Sequence, residues 1–434
     1  MKKVLLLLAM MCSASVACDR KPDDGSTGEQ ETVLEDQYLV ATINIDTENA
    51  EPIVEKKKKI PCTITIDHPN DEWDMTATGT VRGRGNSTWL WYDKKPYRFK
   101  LDEKASVLGL DPEKDWVLLA NYRDPSHMMN TFVFELGHRL GLPYTNHSRY
   151  VELTLNGEFL GLYQLTEQVE QGGSRVDVDD AEGMLISLDA DDGPGLSPDA
   201  DDNFWSEVYG LPICVKYPED EELEARFDAI IKDFAKLEKA VRGAVMNYEA
   251  VEEVLDVQSF IDYMIIQELV YNVEVDAPRN IYMHKDKGGK WTMGPLWDFD
   301  AGFDFDWGEM YSGHNYFADY KELVIGKNPF TQKGANYHVN KFFTDLFGSS
   351  VFKEAYKARW NDIKPTLLDG VWRNIDKYCV GAEDAMARNA ELWPIYAPSD
   401  DNPIREIDYS VEIVNMYSWL LNRIDYLDPI INNY

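Results

Sequence analysis

The chain is poor in cysteine, in histidine and in long apolar runs, and its basic residues are outnumbered. Five cysteines and seven histidines occur in 434 residues. Beyond the first eighteen residues only Cys62, Cys214 and Cys379 remain, an odd and sparse set. That excludes a disulfide framework, and the wide spacing excludes a zinc cluster of the Cys-x-x-Cys kind. The one compact apolar run near the start, residues 4–11, is too short for a permanent membrane span, and no later run reaches eighteen apolar residues. Lys and Arg total 43 against 77 Asp and Glu, a formal charge of −34. A broad basic surface is therefore missing, which excludes a nucleic-acid binder and an anionic-membrane binder.

What is present is a large globular chain. Hydrophobic residues make up 44% and charged residues 28%, enough for a sizeable core. The length fits two or three domains or one bilobal fold. Met1-Lys2-Lys3, the apolar stretch and Ser15-Val16-Ala17-Cys18 resemble a bacterial lipoprotein signal, with Cys18 as the lipidated residue. Residues 1–18 are then a leader and 19–36, polar with Pro22, Gly25 and Gly28, a flexible tether. The expected location is exported and lipid-anchored at the cell envelope, with the anchor as the sole membrane contact.

Residues 37–168 read as a β-rich lobe. Alternating apolar and polar residues predict strands at 38–45, 62–66, 75–82 and 97–101, the last placing Arg98 and Lys100 on one face. Asp124-Pro125 predicts the start of a helix over 126–140, ended by Gly141. Asn156-Gly157 between two strand-like runs predicts a type I′ hairpin. Residues 169–434 read as mainly helical, with helices at 221–241, 259–270, 349–397 and 405–427 and a strand pair at 281–283 and 290–293. The expectation is an α+β, two-lobed protein with a cleft between the lobes.

Five segments concentrate chemistry. Residues 82–89, RGRGNSTW, put two arginines and hydroxyl and amide groups beside glycines that admit a close ligand; this suits an anion but is neither a GxxxxGK[ST] loop nor GxGxxG. Residues 94–100 carry Arg98 and Lys100. Glu135, among Phe132, Phe134 and Leu136, needs a cationic partner if buried, and Arg98 or Lys100 could serve. Residues 272–280 hold Glu274, Asp276, Arg279 and Asn280, suited to a general base and a metal ligand. Residues 295–303 set Asp298 and Asp300 among large aromatics, where carboxylates need pairing or a metal. The acidic stretches at 189–192 and 199–202 fail the EF-hand pattern, with Pro194 and Ala200 at the Gly and Glu places, and read as solvated loop.

Taken in order, RGRGNSTW (82–89), KKPYRFKLD (94–102), DWVLLANYRD (115–124), FELGHRLGLPY (134–144), NGEFLGLYQLTEQV (156–169) and GPLWDFD (294–300) resemble the CotH family of spore-coat, kinase-like proteins. The resemblance implies an atypical protein-kinase-like bilobal fold that binds ATP and Mg2+ between its lobes. It implies that Arg84, Gly85, Asn86, Ser87 and Thr88 meet phosphates, that Lys100 contacts them with Glu135 as its helix partner, and that Arg98 can trade roles with Lys100. It implies an interlobe hinge at 164–168 with Glu167 near the adenine, Asp276 as the catalytic aspartate, and Asn280 and Asp298 as magnesium ligands. No His-Arg-Asp precedes Asp276 and no Asp-Phe-Gly is present, so Asp300 stands as an alternative ligand to Asp298. The implied activity is transfer of the ATP γ-phosphate to Ser or Thr of exported proteins. Two other readings share the residues. One is a non-catalytic envelope binding module. The other is a carbohydrate-active protein using Asp298, Asp300 and Glu167 as acid and base.

Overall fold

The fold was analysed in a computed structural model that describes residues 34–197, 200–275, 278–304, 317, 319–324, 341–397, 405–406 and 408–434. The leader with Cys18, most of the tether, and Asp276 lie outside the described residues.

Apolar alternation runs through several strands of the first part, which closes into a barrel. The strands are β1 (Ala41–Thr47), β2 (Ile60–Asp67), β3 (Met75–Gly83), β4 (Tyr97–Ala105), β5 (Glu113–Leu119), β6 (Arg149–Leu155) and β7 (Glu158–Glu167), in the order β1-β2-β3-β4-β5-β7-β6. Parallel pairing of β1 with β6 closes it. Inward residues such as Ile43, Ile64, Val81, Phe99, Trp116 and Leu153 form one dry interior. The β6–β7 turn is the predicted hairpin: Asn156 and Gly157 take φ of 51° and 81°.

The helix expected over 126–140 begins later, at Met129, and runs to Leu140. Asp124 explains the delay. Its carboxylate accepts the N–H of Ser126 and of Met129, both at 2.8 Å, so the chain turns once before the helix starts. Gly141 ends the helix with φ 76°, as predicted.

The remainder is mainly helical, as expected, and also holds a sheet. A five-stranded sheet, β12-β11-β8-β10-β9, is built from β8 (Met184–Leu188), β9 (Asn203–Trp205), β10 (Pro212–Tyr217), β11 (Ile281–Lys285) and β12 (Thr292–Met293). β8 escapes a periodicity search because four of its five residues are buried, leaving a short apolar run without alternation. The same part holds the helices Asp220–Arg242, Val257–Leu269, Ser350–Ile363, Asp369–Leu392 and Tyr409–Asn432. Among the described residues, no helix is long and apolar enough to cross a membrane. Cys62, Cys214 and Cys379 are free thiols.

The Asp369–Leu392 helix seats the barrel on this second core. Asn389 accepts bonds from the Leu162 N–H at 3.1 Å and from Lys94 Nζ at 2.8 Å. Trp393 Nε1 donates to the Leu160 carbonyl at 2.8 Å. The Met129–Leu140 helix is buried in that same larger core, with Phe132 and Phe134 packed beside Trp372 and Trp297. This placement decides the fate of Glu135.

Candidate active site

Strand register builds a cationic wall on the outside of the barrel. With Val81, Phe99 and Trp116 turned inward, their neighbours turn outward. Pairing sets Thr80, Lys100 and Asp115 in one row and Arg82 beside Arg98 in the next. Asp115 is almost fully buried and binds both cations: Arg98 Nε at 2.7 Å and Lys100 Nζ at 2.8 Å. Burial alone would raise its carboxyl, but the bonds and charges of Arg98 and Lys100 outweigh this and hold it below the usual carboxylate range. These residues line a cavity of about 310 Å3 together with Lys59, Arg82, Glu170 and Glu219. Four cations facing one cavity in so acidic a protein suit an anionic ligand.

Glu170 responds to pH in this cavity. Burial, then the charge of Asp115, pushes its carboxyl up to about 7. A raised folded-state value means that its contribution to stability is present below the ordinary carboxylate range and is lost as pH rises through 7. Glu170→Gln is therefore expected to flatten the fall of the urea midpoint between pH 5 and 8. An unchanged slope would show that Glu170 does not titrate there.

The expected Lys100–Glu135 bridge does not form. Glu135 instead accepts a bond from Asn374 Nδ2 at 2.6 Å and lies 3.5 Å from the Tyr378 hydroxyl, both on the Asp369–Leu392 helix. The reason is its helix, which is packed into the second core and turns Glu135 toward that partner. Lys100 takes Asp115 instead. Glu167 is likewise spoken for. Buried in β7, it accepts the His147 backbone N–H at 2.8 Å and faces His147 Nδ1 at 2.7 Å. Both of its oxygens are thus bonded to His147.

The second half of the site lies where the RGRG loop meets the segment after β12. Gly85 has φ 80°, and the Arg84 N–H donates to the Pro96 carbonyl at 3.1 Å. The Arg84 guanidinium lies 5.4 Å over the Trp297 ring, with Asp298 its chief stabilising charge. Asn86 turns to the surface and accepts a bond from Lys56 Nζ at 2.8 Å, while Ser87 opens a short helix, Ser87–Trp91. Asn280 Nδ2 donates to Asp298 Oδ2 at 3.1 Å, and both residues have left-handed backbone, φ 55° and 61°. Asp300 faces the buried Arg123 at 3.7 Å. The Asp298 carboxyl is raised by burial first and then by the charge of Asp300, against Arg84 and Arg123. Buried Glu274 is raised in the same way, by burial and then by Asp298.

Among the described residues, no three His, Cys, Asp or Glu side chains are grouped to hold a metal ion. The donor set is one desolvated carboxylate bonded to an amide, with a second carboxylate near. It fits a hard cation, because a cation relieves the repulsion between Asp298 and Asp300.

The sequence model of the CotH kinase protein family matches residues 81–427. The chain belongs to the CotH kinase protein family. A comparison with curated proteins finds no match. The matched span of this CotH-family chain begins within β3 and includes Arg84, Lys100, Glu135, Glu167, Asn280, Asp298 and Asp300. Membership supports a kinase-like protein with general use of ATP and metal.

Sequence reasoning passed over Asp115, Arg123 and Asp189. Asp115 and Arg123 stand in a quoted motif, DWVLLANYRD, without a role. The available signal was an acid directly before the apolar run 116–119, where it is buried and must be paired. Asp189, read as solvated, is 5% exposed and bonded to its neighbours. Nothing local marks it out, since its bonds to Pro212 and Asn280 join segments distant in sequence.

Proposed function

We propose that this CotH-family protein transfers the γ-phosphoryl group of ATP, with Mg2+, to Ser or Thr hydroxyls of exported or envelope proteins. We further propose that it works between a β-rich and a helix-rich lobe and is held at the envelope by lipid on Cys18. The observation that carries the reading is the left-handed Asn280–Asp298 pair beside Arg84, next to the barrel wall of Arg82, Arg98 and Lys100. Export rests on the leader-like residues 1–18.

In this reading the barrel cations and the RGRG loop clamp the phosphates, and Asp115 keeps Arg98 and Lys100 in place. Asn280 and Asp298 supply oxygen ligands, with Asp300 fixed by Arg123. Bound Mg2+ supplies neutralisation of charge on the phosphate oxygens. The acceptor oxygen forms a bond to the γ-phosphorus as the bond to the ADP oxygen breaks, and the acceptor proton passes to Asp276. Positioning and charge stabilisation do most of this work, because phosphoryl transfer demands little covalent chemistry of the protein.

The test is incubation of the protein with γ-labelled ATP, Mg2+ and an exported-protein fraction. Label on Ser or Thr that disappears with chelator is expected. Equal labelling by wild type and Asp298→Ala would sink the assignment. One observation favours binding without transfer as a second reading: Lys100 pairs with Asp115 while Glu135 pairs with Asn374, so among the described residues these two do not form a strand-to-helix Lys–Glu bridge. A thermal shift with ATP and Mg2+ but no label transfer would support that reading. No shift at millimolar nucleotide would remove ATP from both.

A further inference from the structure

The loop after β8 grips the segment that carries Asn280. Leu188, the last residue of β8, is paired with Ile281 at the start of β11, so the residues just beyond each strand meet. Asp189 Oδ1 accepts the N–H groups of Asp191 at 2.8 Å and Asp192 at 3.1 Å. Its other oxygen, Oδ2, accepts the Asn280 N–H at 3.3 Å. Two further bonds tie the loops together. The Ala190 N–H donates to the Pro278 carbonyl at 2.8 Å, and Arg279 Nε donates to Asp191 Oδ1 at 3.0 Å.

We propose that Asp189 is a positioning residue: by fixing the backbone N–H of Asn280, it holds that residue left-handed and aims its side-chain amide at Asp298. The inference rests on the phosphoryl-transfer reading of the site. Its physical basis is local. An asparagine tolerates φ 55° better than most residues, but the region is narrow, and a fixed backbone N–H selects it. The buried Asp189 carboxylate supplies that constraint from the residue directly after β8, where Leu188 is paired with Ile281 of β11. Its effect reaches Asp298 through the 3.1 Å amide bond. Partners one step behind a metal ligand typically change metal affinity by about 10- to 100-fold when removed.

The variant that isolates this bond is Asp189→Asn. Its remaining oxygen keeps the bonds to Asp191 and Asp192, while its NH2 group meets the Asn280 N–H donor to donor. The measurement is Mn2+ binding to the full chain by electron paramagnetic resonance, with a saturating non-hydrolysable ATP analogue. We expect about tenfold weaker Mn2+ binding, with metal-free analogue affinity and urea midpoint close to wild type. Mn2+ affinity within about twofold of wild type would overturn the inference while leaving the phosphoryl-transfer reading intact. Failure of the wild type itself to hold Mn2+ with the analogue would overturn that reading and this inference with it. If Asp189→Asn does not fold, Asp191→Ala, which removes the acceptor that holds Arg279 and so loosens the same 279–280 segment, serves instead. A loss of about threefold is then expected, and an unchanged affinity overturns the inference.

Discussion

Asp298→Asn is expected to lower phosphoryl transfer by at least about a hundredfold while the chain stays folded. The substitution keeps the shape and the bonding partner of the side chain but removes the charge that a cation and the phosphates would use. Stability should move the other way. Burial and the charge of Asp300 raise the Asp298 carboxyl in the folded protein. A raised value means that stability is lost as pH climbs through it, and the neutral amide escapes that loss. The urea midpoint of Asp298→Asn at pH 8 should therefore equal or exceed that of wild type. A variant both inactive and markedly unstable would mean that Asp298 serves the fold. A fully active variant would transfer the ligand role to Asp300 or dissolve it.

Arg423→Met should destabilise the protein by about 3–5 kcal/mol. The Arg423 side chain is wholly buried in the Tyr409–Asn432 helix. It donates to the Glu268 carbonyl at 2.7 Å, to the Glu268 carboxylate at 3.2 Å and to the Tyr320 carbonyl at 2.7 Å. Its guanidinium also lies over the rings of Tyr271 and Trp419. Removing it takes the cation from a buried carboxylate, which keeps only neutral donors such as the Val324 N–H, and takes a donor from several carbonyls, a heavier loss than the pair itself contributed. The control is Arg388→Met. Arg388 meets Glu152 with geometry as good, 2.7 Å and 2.9 Å, but is half exposed, so its loss should cost under about 1 kcal/mol. Urea unfolding of both variants decides the matter. Equal costs would show that burial of Arg423 carries no special weight.

The two halves of the site differed in how far they could be read. On the barrel side, alternation in 97–101 placed Arg98 and Lys100 on one face, and pairing of β3 with β4 set Arg82 beside Arg98. That was legible because strand period is a local property. The partner of those cations was not, because Asp115 reaches Lys100 through cross-strand register, which no single segment encodes. The same limit misdirected Glu135. Its helix was recognised, yet which face meets which core depends on the whole packing. On the other side, Asp298 and Asp300 stood out as acids in an apolar run, while the hold of Asp189 on Asn280 joins residues 91 positions apart.

The sequence alone determined the acidic character, the leader-like start, the Asn-Gly hairpin, the strand faces, the buried Val257–Leu269 helix and the motifs of the CotH kinase family. These follow from composition, from periods of two and 3.6 residues, or from single-residue backbone preferences. The tertiary structure decided that the first part is a closed barrel, that the second holds a five-stranded sheet, and that Lys100 answers to Asp115. It also decided that the loop after β8 braces Asn280. Each of those depends on strand order, register or desolvation, and a carboxylate acquires its partner only when folding removes its water.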